Sequence, residues 1–209
     1  MALKTTHLIF DFDGTLADTF HHLVEISNRL AEEFRFRAIT PTQVKLFKSY
    51  SVLEVIRELE VPLLKVPQIV RRAQQELQKD IAAVDPFPGL HDALQALKAR
   101  GVQMGILTTN SAKNVHAFLK NHDIDIFDFV VTTGHVWGKH TALKRLLKKH
   151  GLTAGQVVYI GDETRDIEAA QKAGVKIAAV TWGYNSAEAL RQAGPDFLIP
   201  TPARLSDLL

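Results

Sequence analysis

The 209-residue sequence contains no cysteine, and that one absence removes three chemistries. Disulfides, thiolate nucleophiles and cysteine-ligated zinc or iron–sulfur centres are all excluded. An excess of one charge is missing too: 25 Lys and Arg stand against 23 Asp and Glu, a formal net charge of +2, with the basic residues scattered along the chain. A nucleic-acid surface needs a basic stripe or patch, so no nucleic-acid partner is expected; small anionic metabolites remain compatible. No apolar run approaches the ~20 residues that cross a bilayer, so no membrane partner is expected either. Residues 1–7 carry no apolar stretch of the signal-peptide kind, and the expected location is cytoplasmic. The nine histidines include no pair with metal-ligand spacing on a common helix face.

What is present has the balance of a folded domain: 46% hydrophobic and 23% charged residues, in a length that suits one core domain with a modest insertion. Short apolar runs recur at residues 7–10, 102–107, 129–131, 157–160 and 177–180, with a weaker one at 197–199. Helical patterns separate them. Leu90, Ala93, Leu94 and Leu97 fall at i, i+3, i+4 and i+7, and Ala142, Leu143, Leu146 and Leu147 form a second stripe. Strands alternating with helices predict an α/β fold, a Rossmann-like parallel sheet covered on both faces. In such sheets ligands bind outside the carboxyl ends of the strands.

Residues 19–84 break the alternation. They hold helix-like segments near 20–34, 41–48, 52–59 and 67–81 and no convincing strand, and they end in the turn-forming stretch Asp85-Pro86-Phe87-Pro88-Gly89. The predicted organisation is therefore a core made of residues 1–18 and 85–209, with a small helical cap of residues 19–84 inserted between its parts.

Four constellations lie at predicted strand ends. Asp11-Phe12-Asp13-Gly14-Thr15-Leu16 follows the first strand; in extended chain, residues two apart share a face, so Asp11 and Asp13 are expected to turn toward one ion. Close carboxylates repel unless a cation or proton intervenes, and Mg²⁺ prefers such oxygen ligands. The bland alternative is an Asp-rich turn closed by Gly14. Gly161-Asp162-Glu163-Thr164-Arg165-Asp166 places Asp162 and Asp166 four apart at a helix start, where Asp162 could equally be an N-cap. Leu107-Thr108-Thr109-Asn110-Ser111 offers hydroxyls, an amide and free backbone N–H groups to an anion, or only a helix cap. Lys139 follows the Gly-containing loop 134–138 and is either a site cation or a solvated charge. The aromatic loop Trp182-Gly183-Tyr184-Asn185 reads more simply as packing than as a site wall.

Together these motifs resemble the haloacid dehalogenase superfamily of phosphatases, close to its phosphoglycolate-phosphatase-like members, over essentially the whole chain. The resemblance implies Asp11 as nucleophile and Asp13 as general acid/base. It implies phosphate binding by Thr109 and Asn110, joined by Ser111, and Lys139 orienting Asp11 and the phosphate. It implies Mg²⁺ held at Asp11, Asp13, Asp162 and Asp166, with the Asp13 backbone carbonyl as that residue's ligand. A small phosphorylated metabolite is the implied substrate, and either a monomer or a homodimer is compatible. Dehalogenase relatives lack an acid at the position of Asp13. Two departures stand out: Lys139 is followed by His140-Thr141 where relatives often have Pro, and the cap carries Lys45-Leu46-Phe47-Lys48-Ser49 in place of an Arg-x-x-x-Gly pattern. Lys45, Lys48 and Ser49 are the expected readers of the leaving group. A phosphomutase on the same scaffold is the alternative reading; a non-catalytic binding protein predicts a lost catalytic Asp, and none is lost.

Overall fold

The computed structural model of the chain describes residues 5–133 and 138–209, so residues 134–137 of the expected loop before Lys139 lie outside the described residues. Six strands, β1 (His7–Phe10), β2 (Gln103–Thr108), β3 (Phe129–Thr132), β4 (Val157–Gly161), β5 (Lys176–Val180) and β6 (Phe197–Ile199), form one parallel sheet in the order β3-β2-β1-β4-β5-β6. Among the described residues the helices are α1 (Phe20–Phe34), α2 (Pro41–Phe47), α3 (Val52–Glu58), α4 (Val66–Asp80), α5 (Leu90–Ala99), α6 (Ala112–Asn121), α7 (Lys139–His150), α8 (Thr164–Ala173) and α9 (Ala187–Gln192).

The strand interiors are apolar because a parallel sheet is buried on both faces, and the polar residues His7, Gln103, Thr108, Thr132 and Lys176 stand at strand ends. Alternation divides them between two cores. Leu8, Phe10, Met104, Ile106, Val158 and Ile160 pack with Leu90, Leu94 and Leu97 of α5 and Val115 and Phe118 of α6. Ile9, Leu107, Tyr159 and Ile177 face the other way, onto Leu143 and Leu146 of α7, Ile167 of α8 and Leu190 of α9. Fully burying one such side chain contributes about 1.5–3 kcal/mol, so the two cores outweigh any single polar contact in holding the sheet.

The connection from β1 to α5 is helical. Capping boxes start α2, where Thr40 Oγ1 accepts from the Gln43 N–H at 3.4 Å, and α3, where Ser51 Oγ accepts from the Glu54 N–H at 3.4 Å. Ile26, Leu30 and Phe34 of α1 and Leu77 of α4 join the first core, so these helices are anchored to the sheet by apolar burial. None of the helices among the described residues is long and apolar enough to cross a membrane.

The order of the sheet reverses at its centre: β2 and β3 extend to one side of β1, and β4, β5 and β6 to the other. Such a reversal opens a crevice at the carboxyl ends of the two central strands. β1 and β4 deliver Asp11 and Asp162 to that crevice.

Candidate active site

β1 stops at Phe10, and the Asp11 N–H still donates to the Ile160 carbonyl at 2.8 Å. The chain then closes a tight turn in which the Phe12 carbonyl accepts from the N–H groups of Leu16 at 2.9 Å and Ala17 at 3.0 Å. Gly14 sits in that turn at φ +73°; a Cβ there would run into the Asp162 carboxylate and stand 2.7 Å from Tyr184 Cδ1. The turn ends strand alternation and separates the two aspartates. Asp11 Oδ1 accepts from the Phe12 N–H at 2.7 Å, and its Oδ2 accepts from Lys139 Nζ. Asp13 turns elsewhere, so the expectation that both carboxylates face one ion fails once the chain leaves the extended conformation.

Asp11, Asp162 and Asp166 each bring a carboxylate oxygen within 4.8 Å of the others. These three and Lys139 are at most 3% exposed. Lys139, the first residue of α7, also donates to Asp166 Oδ1 at 2.6 Å. Asp162 accepts from Thr15 Oγ1 at 2.7 Å and from the Tyr184 N–H at 2.8 Å. Both of its oxygens are thereby committed, so Glu163, and not Asp162, is the N-cap residue of α8, and the Glu163 N–H donates back to Asp166 Oδ2 at 3.2 Å.

Crowding shapes the proton affinities. Burial pushes the Asp11 carboxyl up, against the pull of Lys139. Burial followed by the charges of Glu163, Asp166 and Asp11 holds Asp162 well above the usual carboxylate range. Lys139 is opposed by its own burial, but Asp11 and Asp166 win and raise it, so it stays an ammonium. Glu163 and Arg165 form an ion pair beside this group. With that pair set aside, three carboxylates face one ammonium, and a hard divalent cation is what three oxygen donors and two surplus charges suit. The residues fit a metal.

Asp13 is half-buried. Its Oδ1 accepts from Thr19 Oγ1 at 3.0 Å, and Asn110 Nδ2 reaches both oxygens at 2.9 and 3.0 Å. Burial, and then the Asp11 charge, push this carboxyl up to about 7. Asn110 is fixed in turn: its Oδ1 accepts from the Ser111 N–H at 2.7 Å and from Asn114 Nδ2 at 2.9 Å. Ser111 is the N-cap of α6, its Oγ accepting from the Asn114 N–H at 3.2 Å. Thr109 lines a cleft of about 230 Å³ with Asp13, Asn110, Gln74, Arg165 and Tyr184.

The cap residues are placed differently. Lys48 Nζ lies 5.0 Å from the centre of the Phe20 ring, Ser49 Oγ turns back to the Leu46 carbonyl at 2.7 Å, and Lys45 is exposed. Neither the lysines nor Ser49 is among the residues lining the cleft. The structure brings in residues of the 182–185 loop, which the sequence read more simply as packing, and Gln74, which it did not mark. Tyr184 shares a hydrogen bond with Thr19 Oγ1 at 2.6 Å, and Asn185 Nδ2 donates to the carbonyls of Lys48 at 3.1 Å and Tyr50 at 3.0 Å. Gln74 of α4 donates to the Thr109 carbonyl at 2.7 Å. The signal for the 182–185 loop was its place after the fifth strand, the same carboxyl edge as the other motifs. No periodicity marks Gln74 or Arg165.

A sequence model of haloacid dehalogenase-like hydrolases matches residues 8–180. A phosphoglycolate phosphatase of Synechococcus elongatus is 36% identical over 203 residues, spanning 97% of this chain and 94% of its own. The pyrophosphatase PpaX of Listeria innocua is 27% identical over 214 residues, spanning 100% and 97%. A solved haloacid dehalogenase-like hydrolase of Streptococcus pneumoniae superposes with a TM-score of 0.80 over 97% of each chain at 22% identity, a likeness of fold.

Proposed function

The chain belongs to the haloacid dehalogenase-like hydrolases and is a phosphatase, and we propose that it hydrolyses a small phosphorylated metabolite through a phospho-aspartate on Asp11, with Mg²⁺ as cofactor. The observation that carries this reading is the convergence of buried Asp11, Lys139, Asp162 and Asp166 at the switch point of the sheet.

Asp11, Asp162 and Asp166, with the Asp13 carbonyl, are the groups that would hold Mg²⁺. When bound, the ion supplies charge neutralisation that lets an anionic nucleophile approach an anionic phosphate. The chain's own residues do the rest. The Phe12 N–H and Lys139 fix the Asp11 carboxylate for in-line attack on phosphorus, and the ester P–O bond breaks as the Asp11–phosphorus bond forms. Asp13, protonated, gives its proton to the leaving oxygen. It then takes a proton from the water that attacks the acyl phosphate, releasing phosphate and restoring the Asp11 carboxylate. A carboxyl raised to about 7 is poised for both duties near neutrality. Thr109, the Asn110 amide and Lys139 hold the phosphoryl oxygens. Residues 19–84 act as a cap over a core of residues 1–18 and 85–209, excluding water when closed. In this reading the protein works in the cytoplasm on a freely diffusing substrate.

The test is phosphate release from a panel of phosphorylated metabolites with Mg²⁺, with EDTA, and after the substitution Asp11→Asn. Release that persists after exhaustive chelation refutes the metal, and release that persists in a folded Asp11→Asn protein refutes the nucleophile.

A further inference from the structure

Asn114, the third residue of α6, is fully buried, and its Oδ1 is the one buried side-chain polar atom without a hydrogen-bond partner among the described residues. A buried acceptor left unpaired costs stability that an apolar side chain in the same place would not. The amide at this position therefore calls for a compensating role.

That role lies on the other side of the amide. Asn114 Nδ2 donates to Asn110 Oδ1 at 2.9 Å and to the Gln74 carbonyl at 2.9 Å. An amide nitrogen carries two hydrogens, and both are committed. Turned over, Asn114 would set its oxygen against two acceptors, so its orientation is fixed. Gln74 closes the arrangement from α4, its side chain donating to the Thr109 carbonyl at 2.7 Å while its own carbonyl takes the Asn114 hydrogen.

Asn110 is fixed through Asn114. Its Oδ1 accepts from Asn114 Nδ2 and from the Ser111 N–H at 2.7 Å, which leaves Nδ2 to face the cleft beside Asp13. A reversed Asn110 would turn its oxygen onto the Asp13 carboxylate and its nitrogen onto two donors. Asn110 lines the cleft; Asn114 does not. A donor aimed before substrate arrives needs no reorganisation when charge develops, and the aim is set here by a residue one layer behind it.

We propose that Asn114 is the positioning residue of the phosphoryl end, holding the Asn110 amide with its N–H groups toward the phosphoryl oxygens. The proposal rests on the phosphatase reading above, in which Asn110 holds those oxygens.

The test is a double-mutant cycle in the full chain, read as kcat/KM on 2-phosphoglycolate and ethyl phosphate, which share a phosphoryl group and differ in the leaving group. Asn114→Ala removes the donor and the unpaired oxygen together. Both acceptors keep a partner, Asn110 Oδ1 the Ser111 N–H and the Gln74 carbonyl its place within α4. Asn110→Ala should lower kcat/KM by about a hundredfold, the loss of a whole donor. Asn114→Ala should lower it by roughly three- to tenfold, equally on both substrates, and should raise the inhibition constant of inorganic phosphate by a similar factor. In the Asn110→Ala background, Asn114→Ala should cost nothing further, because its target is gone. A residue that only supports the fold would cost the same in both backgrounds. Additive losses, a loss confined to one substrate, or no loss in the wild-type background would overturn the proposal. If Asn114→Ala does not fold, Asn114→Ser, whose hydroxyl has one hydrogen for two acceptors, carries the same cycle. Failure of the phosphatase reading looks different, because it appears as phosphate release that survives Asp11→Asn whatever the cycle gives.

Discussion

At the carboxyl edge of the sheet, every oxygen of Asp11, Asp162 and Asp166 accepts a hydrogen bond, and the donors are backbone N–H groups, Thr15, Tyr159 and Lys139. Across the cleft, the helices 20–80 present Leu23, Val52, Val70, Ala73 and Leu77 to the same space, and on their outer side Leu46, Leu53, Leu63 and Leu64 are exposed. One side is a fixed polar network and the other an apolar wall joined to it by few polar ties. Those ties include Gln74 to Thr109, Asn114 to the Gln74 carbonyl, and the 184–186 loop to Lys48 and Tyr50. The difference separates two tasks. Charges that must be ready before substrate arrives are built on strand ends and helix starts, where the backbone is over-determined. The facing helices supply shape and dryness, which need no donors.

If that division holds, substitutions at the sheet edge should dominate all others. Asp11→Asn removes the attacking oxygen's charge and leaves the volume unchanged, so phosphate release should fall by roughly a thousandfold or more while the melting temperature stays within the range of ordinary surface variants. Steady-state turnover and a thermal melt on the same sample check both halves. Activity within tenfold of wild type would erase the distinction between the two sides.

Gly14→Ala attacks the same edge through backbone alone. The added Cβ falls on the Asp162 carboxylate, at a φ of +73° that strains any residue with a side chain. Something must shift, and misplacing a reactive group by about 1 Å is worth about a hundredfold. The expected result is a loss of that order in kcat together with weaker Mg²⁺ binding. A comparable Ala substitution at Gly101, where a Cβ meets nothing within 4 Å, serves as the control.

Much of this edge was legible in the sequence, and the reason is physical. Buried parallel strands write themselves as short apolar runs, so all six strands appeared at the right places, β1 and β6 with matching bounds and the others within a residue. The four inserted helices were also visible, as helix-like segments near 20–34, 41–48, 52–59 and 67–81, and Pro67 does lie in the first turn of α4; the capping boxes at Thr40 and Ser51 emerge only in the structure. What did not read through was anything that depends on chain crossing space. The strand order, the tie of Asn185 to the 48–50 turn and the pairing of Arg165 with Glu163 in a cleft have no local pattern. Asp13 misled for the opposite reason: a period-two rule was extended past Phe10, where the strand had already ended.

The metal argument can be sharpened without measuring turnover. In the metal-free protein, Asp11, Asp13 and Asp162 all hold protons more tightly than free carboxyls do. A raised folded-state value means that the folded protein binds extra protons above the ordinary carboxylate range. Stability from these groups is therefore present at acid pH and lost as pH rises through the raised values, which for Asp13 means up to about 7. On the proposed reading, Mg²⁺ would replace those protons. Its stabilisation should thus be small at pH 5.5 and larger at pH 7.5, where an ion at about 100 times its Kd adds about 2.7 kcal/mol, or roughly 5–10 °C in melting temperature for a chain this long. A shift independent of pH, or greater in acid, would detach the ion from the carboxylates.

The smallest effect belongs to Lys48. Its position between α2 and α3 made it an attractive reader of an anionic leaving group, but its ammonium rests 5.0 Å from the Phe20 ring centre, and its backbone carbonyl, not its side chain, takes the bonds from Asn185 and from the Ser186 N–H at 2.6 Å. Substitution by Ala leaves that carbonyl in place. What is lost is a cation–π contact at a half-buried site, worth about 0.5–1 kcal/mol, together with some packing of the lysine stem on the aromatic ring. Lys48→Ala should therefore lower stability by about that amount in urea titration and change kcat/KM by about threefold or less on both 2-phosphoglycolate and ethyl phosphate. A selective tenfold loss on 2-phosphoglycolate from Lys48→Ala would mean that the ammonium leaves Phe20 when substrate binds, that the cap reads charge after all, and that the polar edge and the apolar wall share the work of recognition.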